Sequence, residues 1–463
     1  MPSTLPAPID KLAIVVVTYK RQELLANLFD SMTELTATPW RIVIVDNENS
    51  RETEAMCTAF NERLANLWGI DTEQPDAQGG TDRVIYAPQL ENGGGAGGFS
   101  AGTKCAYDLG AQWFWVMDDD VLVIPEGIER LAKWTDRYDV IQGSRLDFDG
   151  GAFFWQYQLI LSLGIPNPIA KWDLGPKGYR AMNQLCFEGG MFSRRVVDKI
   201  GLPDARFFIY GDDACYGYVA SQHFPAAVVA DVVLKRARAV SNWDIAGKRQ
   251  LNSTSDTNRY YIMRNRGYLA RYMQIYGDYH PVLFRLGNAA TFCKEFIRLA
   301  AVDKCFKTGI PALRRGMKDA RKIIKDPNWK PMPPMKDTEE RKPETPQRLK
   351  PLVHRSHMLS IKPKPPAHAA NAGSRHTDFV DAVALYVEQR LHGQQFQAQR
   401  IHIGVIHQVN RYQRTLVQHA NRICYIEHST RRENLDVPAT CAILSPRGRI
   451  GIARQSKTES LQE

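Results

Sequence analysis

The sequence predicts an α/β protein built on a doubly wound, mostly parallel sheet. Two observations predict it. Continuous β-branched apolar runs, the pattern of strands buried on both faces, alternate with segments whose apolar residues recur at helical spacing. Several of the strand-like runs also end in polar or acidic residues, as expected where the carboxyl edge of such a sheet forms a ligand crevice.

The elements follow in order. "KLAIVVVTY" (11–19) predicts a buried parallel strand, and "QELLANLFDSMTEL" (22–35) a helix. "WRIVIVDN" (40–47) and "RVIYAP" (83–88) predict a second and a third strand. "FSAGTKCAYDLGA" (99–111) reads as a helix, and "WFWVMDDD" (113–120) as a fourth strand ending in three aspartates. Tyr19, Asp46, the glycines of 91–102 and the aspartate cluster all fall at strand ends and are expected to converge on one crevice.

Composition divides the rest. At 463 residues, 44% hydrophobic and 10% aromatic, the chain is long enough for two or three domains with a sizeable core. No run of 18 uncharged apolar residues marks a spanning helix, and the N-terminal stretch lacks a basic region of the signal-peptide kind. Eight cysteines without C-x-x-C spacing point to neither a disulfide framework nor a zinc site, so a reducing cytoplasm is expected. Four regions are expected: an α/β body over 1–275, basic amphipathic helices over 276–330, a Pro/Lys-rich linker over 331–367, and a separate or disordered tail over 368–463. Nine of the eleven histidines lie at or after His354, which sets the tail apart, and "DFVDAVALYVEQRLHG" (378–393) reads as a helix within it.

The net charge is +10, and residues 294–330 carry eleven Lys/Arg against four Asp/Glu. That stretch is either a solvated helix face or a surface for an anionic partner such as a membrane. Nucleic acid is not expected, because the basic residues lie outside the α/β body and lack interleaved stacking aromatics.

Three motifs carry chemistry. "ENGGGAGGFSAG" (91–102) follows the third strand, whereas a dinucleotide fingerprint would follow the first. It reads as a flexible loop, or as a loop whose backbone approaches a nucleotide sugar and then opens a helix. In "FWVMDDDVLVIPEG" (114–127) an extended backbone places Asp118 and Asp120 on one side and Asp119 on the other. Such a cluster is either a solvated acidic turn or a site for a hard cation, Mg²⁺ or Mn²⁺. In the second case Asp120 is the expected principal ligand and Asp118 its helper. In "GLPDARFFIYGDDACYGYVA" (201–220), Asp212 and Asp213 stand between aromatic residues and a helix. One acid in so apolar a setting suits a general base, and Asp212 suits a helix cap. A metal–diphosphate acid site together with a base for a hydroxyl is the inventory of an inverting glycosyl transferase.

Six segments in order, "VVVTYKR", "IVIVDN", "ENGGGAGGFSAG", "WFWVMDDDVLVIPEGI", "FEGGMFSRRVVDKIGLPDARFFIYGDDACYGYVA" and "RYYIMRNRGYL", resemble family 2 glycosyltransferases. Within that family the chain is similar to the bacterial galactofuranosyltransferase-like branch, which includes relatives assigned to rhamnosyl transfer. The resemblance spans roughly residues 10–275. It implies a GT-A fold with a Rossmann-like nucleotide-sugar-binding domain, a UDP- or dTDP-linked sugar donor, inversion, and a divalent metal. It also implies a glycan or lipid-linked acceptor met at the inner face of the plasma membrane.

Carried over by position, Thr18, Tyr19 and Asp46 would line base and ribose. Asn92, Gly97 and Gly98 would lie near diphosphate and sugar. Asp118 and Asp120 would hold metal, with Asp119 beside the substrate. Asp213 would be the base, with Asp212 beside the substrate. Trp155, Glu188, Phe208 and Tyr210 would form the sugar and acceptor pocket. One departure stands out. Where the family carries a metal-binding histidine, this chain reads "VADVVLKRARAVSNWD" (229–244), with Lys235 or Arg236 in that place and His223 too early. That departure leaves open a catalytically inert nucleotide-sugar-binding or assembly module.

Overall fold

The structure, a computed structural model, describes residues 8–151, 157–167, 174–239, 242–245, 248–341, 443–444 and 450–451. The chain forms two compact units, residues 1–357 and 358–463. In the second unit only an antiparallel pair, Ile443–Leu444 with Ile450–Gly451, is described. The helix expected at 378–393 lies outside the described residues.

The first unit opens with β1 (Leu12–Thr18), α1 (Gln22–Thr33), β2 (Arg41–Asp46), α2 (Arg51–Trp68), β3 (Val84–Pro88), α3 (Gly94–Leu109) and β4 (Trp113–Asp118). It continues through β5 (Val121–Val123), α4 (Gly127–Ala132), β6 (Val140–Leu146), β7 (Leu159–Ile160), β8 (Ile165–Pro166), β9 (Tyr179–Ala181), β10 (Gly190–Ser193), α5 (Arg194–Ile200), α6 (Asp212–His223), β11 (Ala226–Arg236), β12 (Asn242–Ile245) and β13 (Lys248–Asn252). It closes with α7 (Asp256–Arg264), α8 (Arg266–Tyr276), α9 (Pro281–Arg298) and α10 (Phe306–Lys325). The main sheet runs β3-β2-β1-β4-β10-β6-β11-β5, with β9 also paired to β11. Strands β1 to β4 are mutually parallel, and β10 enters antiparallel between β4 and β6.

All seven residues of β1 and all six of β2 are buried, because helices cover both faces. Val15, Val17, Val43 and Val45 meet Ala96, Phe99 and Ala106 of α3 on one face. Ile14, Val16, Ile42 and Ile44 meet Leu25, Leu28 and Phe60 of α1 and α2 on the other, where Phe29 stacks on Phe60 at 4.0 Å. Each of these Val, Ile, Leu and Phe side chains contributes roughly 1.5–3 kcal/mol by leaving water.

Helix α3 starts at Gly94, five residues before the expected start, so Gly97 and Gly98 are helical rather than part of a loop. Glycine is a poor helix former, but close packing overrides that weakness here. A Cβ at Gly98 would meet Val17 at 2.5 Å, and one at Gly102 would meet Val15 at 2.4 Å.

The basic helices pack onto the body. Gly316 of α10 has no room for a Cβ, which would meet the Tyr260 carbonyl at 2.4 Å, and Arg259 is buried against Asp256 and Asp303. Residues 331–341, expected to be linker, lie along the domain after Trp329, whose ring meets Tyr272 edge-on at 5.1 Å. The Met335 and Lys336 amides donate to the Asp198 carbonyl, and Glu340 pairs with His223 at 2.9 Å. Pro-rich composition carries no signal for such backbone partners. Residues 342–367 lie outside the described residues.

Candidate active site

Strand register builds the site. Thr18 stands opposite Asp46, Asp46 opposite Pro88, and Val17 opposite Asp118, so the carboxyl ends of four strands share one edge. Not every acid on that edge faces outward. Asp46 is fully buried and is used up within the protein. Its oxygens accept from the Glu48 amide at 2.9 Å, the Ser50 amide at 2.7 Å and the Tyr86 hydroxyl at 3.0 Å. Its carboxylate thus turns the chain after β2 and shapes the wall at the strand end where the nucleotide is expected. Thr18 is buried too, and donates to Asp119 at 2.7 Å. Tyr19, 41% exposed, stands at the mouth with the Lys20 ammonium over its ring.

The three aspartates divide by direction. Asp119 is 2% exposed and pins the ends of β1 and β4 together, accepting from Thr18 and, at 3.0 Å, from Arg21. Both its oxygens are engaged within the wall. Asp118 and Asp120 are half-buried. Asp120 accepts from Arg238 at 2.8 Å and from Arg21 at 3.5 Å. Asp118 has no hydrogen-bond partner among the described residues. Burial, and repulsion from Asp120, Glu188 and Asp119, push its carboxyl well above the usual carboxylate range, and Arg21 opposes the shift.

Beside them, Glu188 pairs with buried Arg145 at 2.5 Å and with Arg236 at 3.4 Å. Arg236 is in register with Val121, one residue beyond Asp120. Basic residues of β11 and of the segment after it, Arg236 and Arg238, thus stand against the acid cluster. His223 is elsewhere, bonded to Glu340 and Tyr276.

No group of three or more His, Cys, Asp or Glu arranged for a metal occurs among the described residues. Two carboxylates in mutual repulsion, one of them without a hydrogen bond, nevertheless fit a hard cation whose other ligands come from a diphosphate and water. The donor side is the start of α3. Asn92 accepts from the Gly94 amide at 2.8 Å and Asn47 donates to the Gly94 carbonyl at 3.1 Å. A Cβ at Gly95 or Gly97 would meet open space, so this sixteen-residue helix presents free volume at its N-terminus, where anions are favoured. Gly98 faces the sheet instead.

The second acid pair begins α6. Gly211, with φ 82°, is the N-cap, so Asp212 is the first helical residue rather than the cap. Asp213 accepts from the Ala214 amide at 2.7 Å and faces the Cys186 thiol, the Phe187 amide and Arg145. Asp212 lines a small cavity shared with Asp204, Cys215 and Tyr272. Burial raises both carboxyls, and for Asp212 the neighbouring Asp213 charge adds to it. A raised native pKa favours folding below it, and that contribution is lost as pH rises through it. Asp212→Asn is therefore expected to raise the melting temperature more at pH 8 than at pH 5, with transfer changed little. Melting curves at the two pH values check this.

Phe208 stacks on Tyr261 at 4.8 Å, and Tyr210 is 42% exposed beside Asn258. Trp155 lies outside the described residues. The sequence reading missed Arg21, Arg145, Arg238 and Asn265. Arg21 and Asn265 fall within "VVVTYKR" and "RYYIMRNRGYL", segments that carry the resemblance but assign these residues no role.

Residues 13–201 match the family model described as Glycosyl transferase family 2. The chain is 27% identical over 271 residues to galactofuranosyltransferase GlfT1 of Mycolicibacterium smegmatis, covering 55% of this chain and 81% of that protein. It is 25% identical over 265 residues to GlfT1 of Mycobacterium tuberculosis, covering 55% and 80%. Among solved structures, S. aureus TarS aligns at 13% identity with a TM-score of 0.39, over 68% of this chain and 49% of that one, so the chain spans about half of it. The mannosyltransferase PcManGT from Pyrobaculum calidifontis, in complex with GDP-Man and Mn²⁺, aligns at 12% identity with a TM-score of 0.39, over 70% and 88%.

Proposed function

We propose, from the match of residues 13–201 to the family model described as Glycosyl transferase family 2, that the protein is an inverting hexosyltransferase. Its donor is a nucleotide-diphosphate sugar, UDP-galactofuranose or a dTDP-rhamnose-like molecule, and its acceptor a hydroxyl of a glycan or lipid-linked glycan. The observation that carries the reading is the meeting of two acid sets in one crevice. Asp118, Asp120 and Glu188 lie at the ends of the strands, and Asp213 adjoins them through Arg145.

The roles follow from the chemistry. The N-terminus of α3, with Gly95 and Gly97, receives the diphosphate. Asp118 and Asp120 would hold Mn²⁺ or Mg²⁺, which supplies neutralisation of the charge that grows on the leaving diphosphate. Arg236 and Arg238 add fixed positive charge at the same edge. Asp213 takes the proton of the acceptor hydroxyl as its oxygen attacks the anomeric carbon and the bond to the diphosphate breaks, inverting that centre.

The test is a screen of UDP-galactofuranose, dTDP-rhamnose and other nucleotide sugars for hydrolysis or transfer, with and without Mn²⁺. Turnover of at least one donor is expected. Donors that bind but are never cleaved would establish the inert binding module instead.

The reading includes peripheral attachment to the inner membrane face, supported by α9 and α10. No described helix is long and apolar enough to cross a membrane. Of the apolar residues of α9, Phe284 packs inside, while Val282, Leu286, Phe296 and Ile297 remain exposed. Arg314, Arg315, Lys318, Arg321 and Lys322 are exposed on α10. Each basic residue at an anionic surface contributes about 1 kcal/mol, screened by salt. Binding to anionic liposomes is expected, lost in roughly 0.5 M salt or after charge reversal of those five residues. Equal sedimentation with neutral and anionic vesicles at low salt would reduce α10 to a solvated face.

A further inference from the structure

We propose that Asn265 is a positioning residue that decides which aspartate of the Asp212–Asp213 pair faces the crevice. The inference rests on the reading of Asp213 as the base, and it starts from backbone conformation. The four residues before α6 include three with positive φ: Phe208 at 64°, Tyr210 at 69° and Gly211 at 82°. Phe208, with ψ −60°, is the centre of a γ-turn, and the Ile209 amide donates to the Phe207 carbonyl at 2.8 Å. Neither phenylalanine nor tyrosine favours these angles, so the conformation must be imposed from outside the loop.

Asn265, at the joint of α7 and α8, imposes it. Its side chain is buried, and its amide nitrogen lies 3.0 Å from the Phe207 carbonyl, 2.8 Å from that of Ile209 and 2.7 Å from that of Tyr210. One amide therefore serves three carbonyls of the strained segment. Arg264 adds a bond to the Phe207 carbonyl at 2.9 Å and another to the Arg206 carbonyl. From the donor side, the Ala96 amide donates to the Phe208 carbonyl at 3.0 Å. Gly94 must lack a side chain there, since its Cβ would meet that carbonyl at 2.1 Å.

The clamp matters because of helical geometry. Successive residues of an α-helix point about 100° apart. The loop ends at the Gly211 cap, which makes Asp212 and Asp213 the first two residues of α6. If the loop relaxed and the helix began one residue earlier or later, the acid beside Cys186 and Arg145 would turn away. Asn265 thus fixes the base through the start of its helix, without touching substrate.

The test uses the full chain with Asn265→Ala and Asn265→Asp. The second keeps the size of the side chain and an oxygen for Arg264, whose Nε donates to the present Oδ1 at 2.9 Å, but it offers the three carbonyls no N–H. It carries the test if the alanine variant fails to fold. Turnover is expected to fall about 10- to 100-fold, with the donor KM nearly unchanged. The acid limb of the kcat profile should move, and amide exchange should rise selectively in residues 207–217. Parental exchange in 207–217 together with parental kcat in Asn265→Asp would overturn the proposal. So would a loss of kcat that follows global melting with an unmoved pH profile. If the parent transfers no sugar at all, the functional reading fails separately, and the exchange of 207–217 still decides whether the clamp exists.

Discussion

Asp213→Asn is expected to lower sugar transfer by about 10²–10⁴-fold, the usual contribution of a general base, while nucleotide binding stays at the parental level. The substitution keeps the shape and one accepting oxygen, for the Ala214 amide, but removes the proton acceptor. The fold should be unharmed, because burial already penalises the charged form of Asp213. The same burial predicts the pH profile. A base with a raised pKa is lost as pH falls through that value, so the acid limb of kcat should lie above the usual carboxylate range of about 4. Asp212→Asn is the control, since its carboxyl lies in the cavity with Asp204 and Tyr272. Equal and mild losses from both variants would remove the base assignment from Asp213.

How much of this was legible in the sequence varied with the range of the interactions. The strands were readable because their burial is local information: "LAIVVVT" is apolar at nearly every position since both faces of β1 are covered. The direction of Asp119 was readable from extended-chain alternation, and its side chain does turn inward to Thr18. The start of α3 was not, because its glycines are tolerated only through contact with Val15 and Val17 of β1. Asp46 looked like a ligand for the same reason as Asp118, a strand-end position. Only the three-dimensional partners Ser50 and Tyr86 reveal that one is spent internally and the other is not. The arginines had no signal at all, since Arg21 and Arg238 meet Asp120 across 99 and 118 residues of chain.

Asp118→Asn is expected to make the free protein more stable and the metal-bound protein less so. Asp118 is crowded by Asp120, Glu188 and Asp119, and its raised carboxyl pKa reflects burial and that repulsion. Its ionisation works against folding, so its contribution to stability is lost as pH rises through the raised value. Replacing it by Asn removes the repelled charge, with an expected gain of about 1 kcal/mol at pH 8 that shrinks as pH falls and Asp118 takes up its proton. The opposite sign is expected with Mn²⁺ and UDP. A ligand at about 100 times its Kd stabilises the native state by about 2.7 kcal/mol, and the variant should lose most of that shift. Asp120→Asn should lose the Mn²⁺ shift as well, but without the gain in the free protein, because Arg238 and Arg21 already compensate the Asp120 charge. Melting curves of the three proteins, with and without Mn²⁺ and UDP at both pH values, separate these cases. A parental Mn²⁺ shift surviving in Asp118→Asn would move the metal away from this cluster. No shift in the parent would mean that the arginines of 236–238, rather than a cation, neutralise the leaving diphosphate.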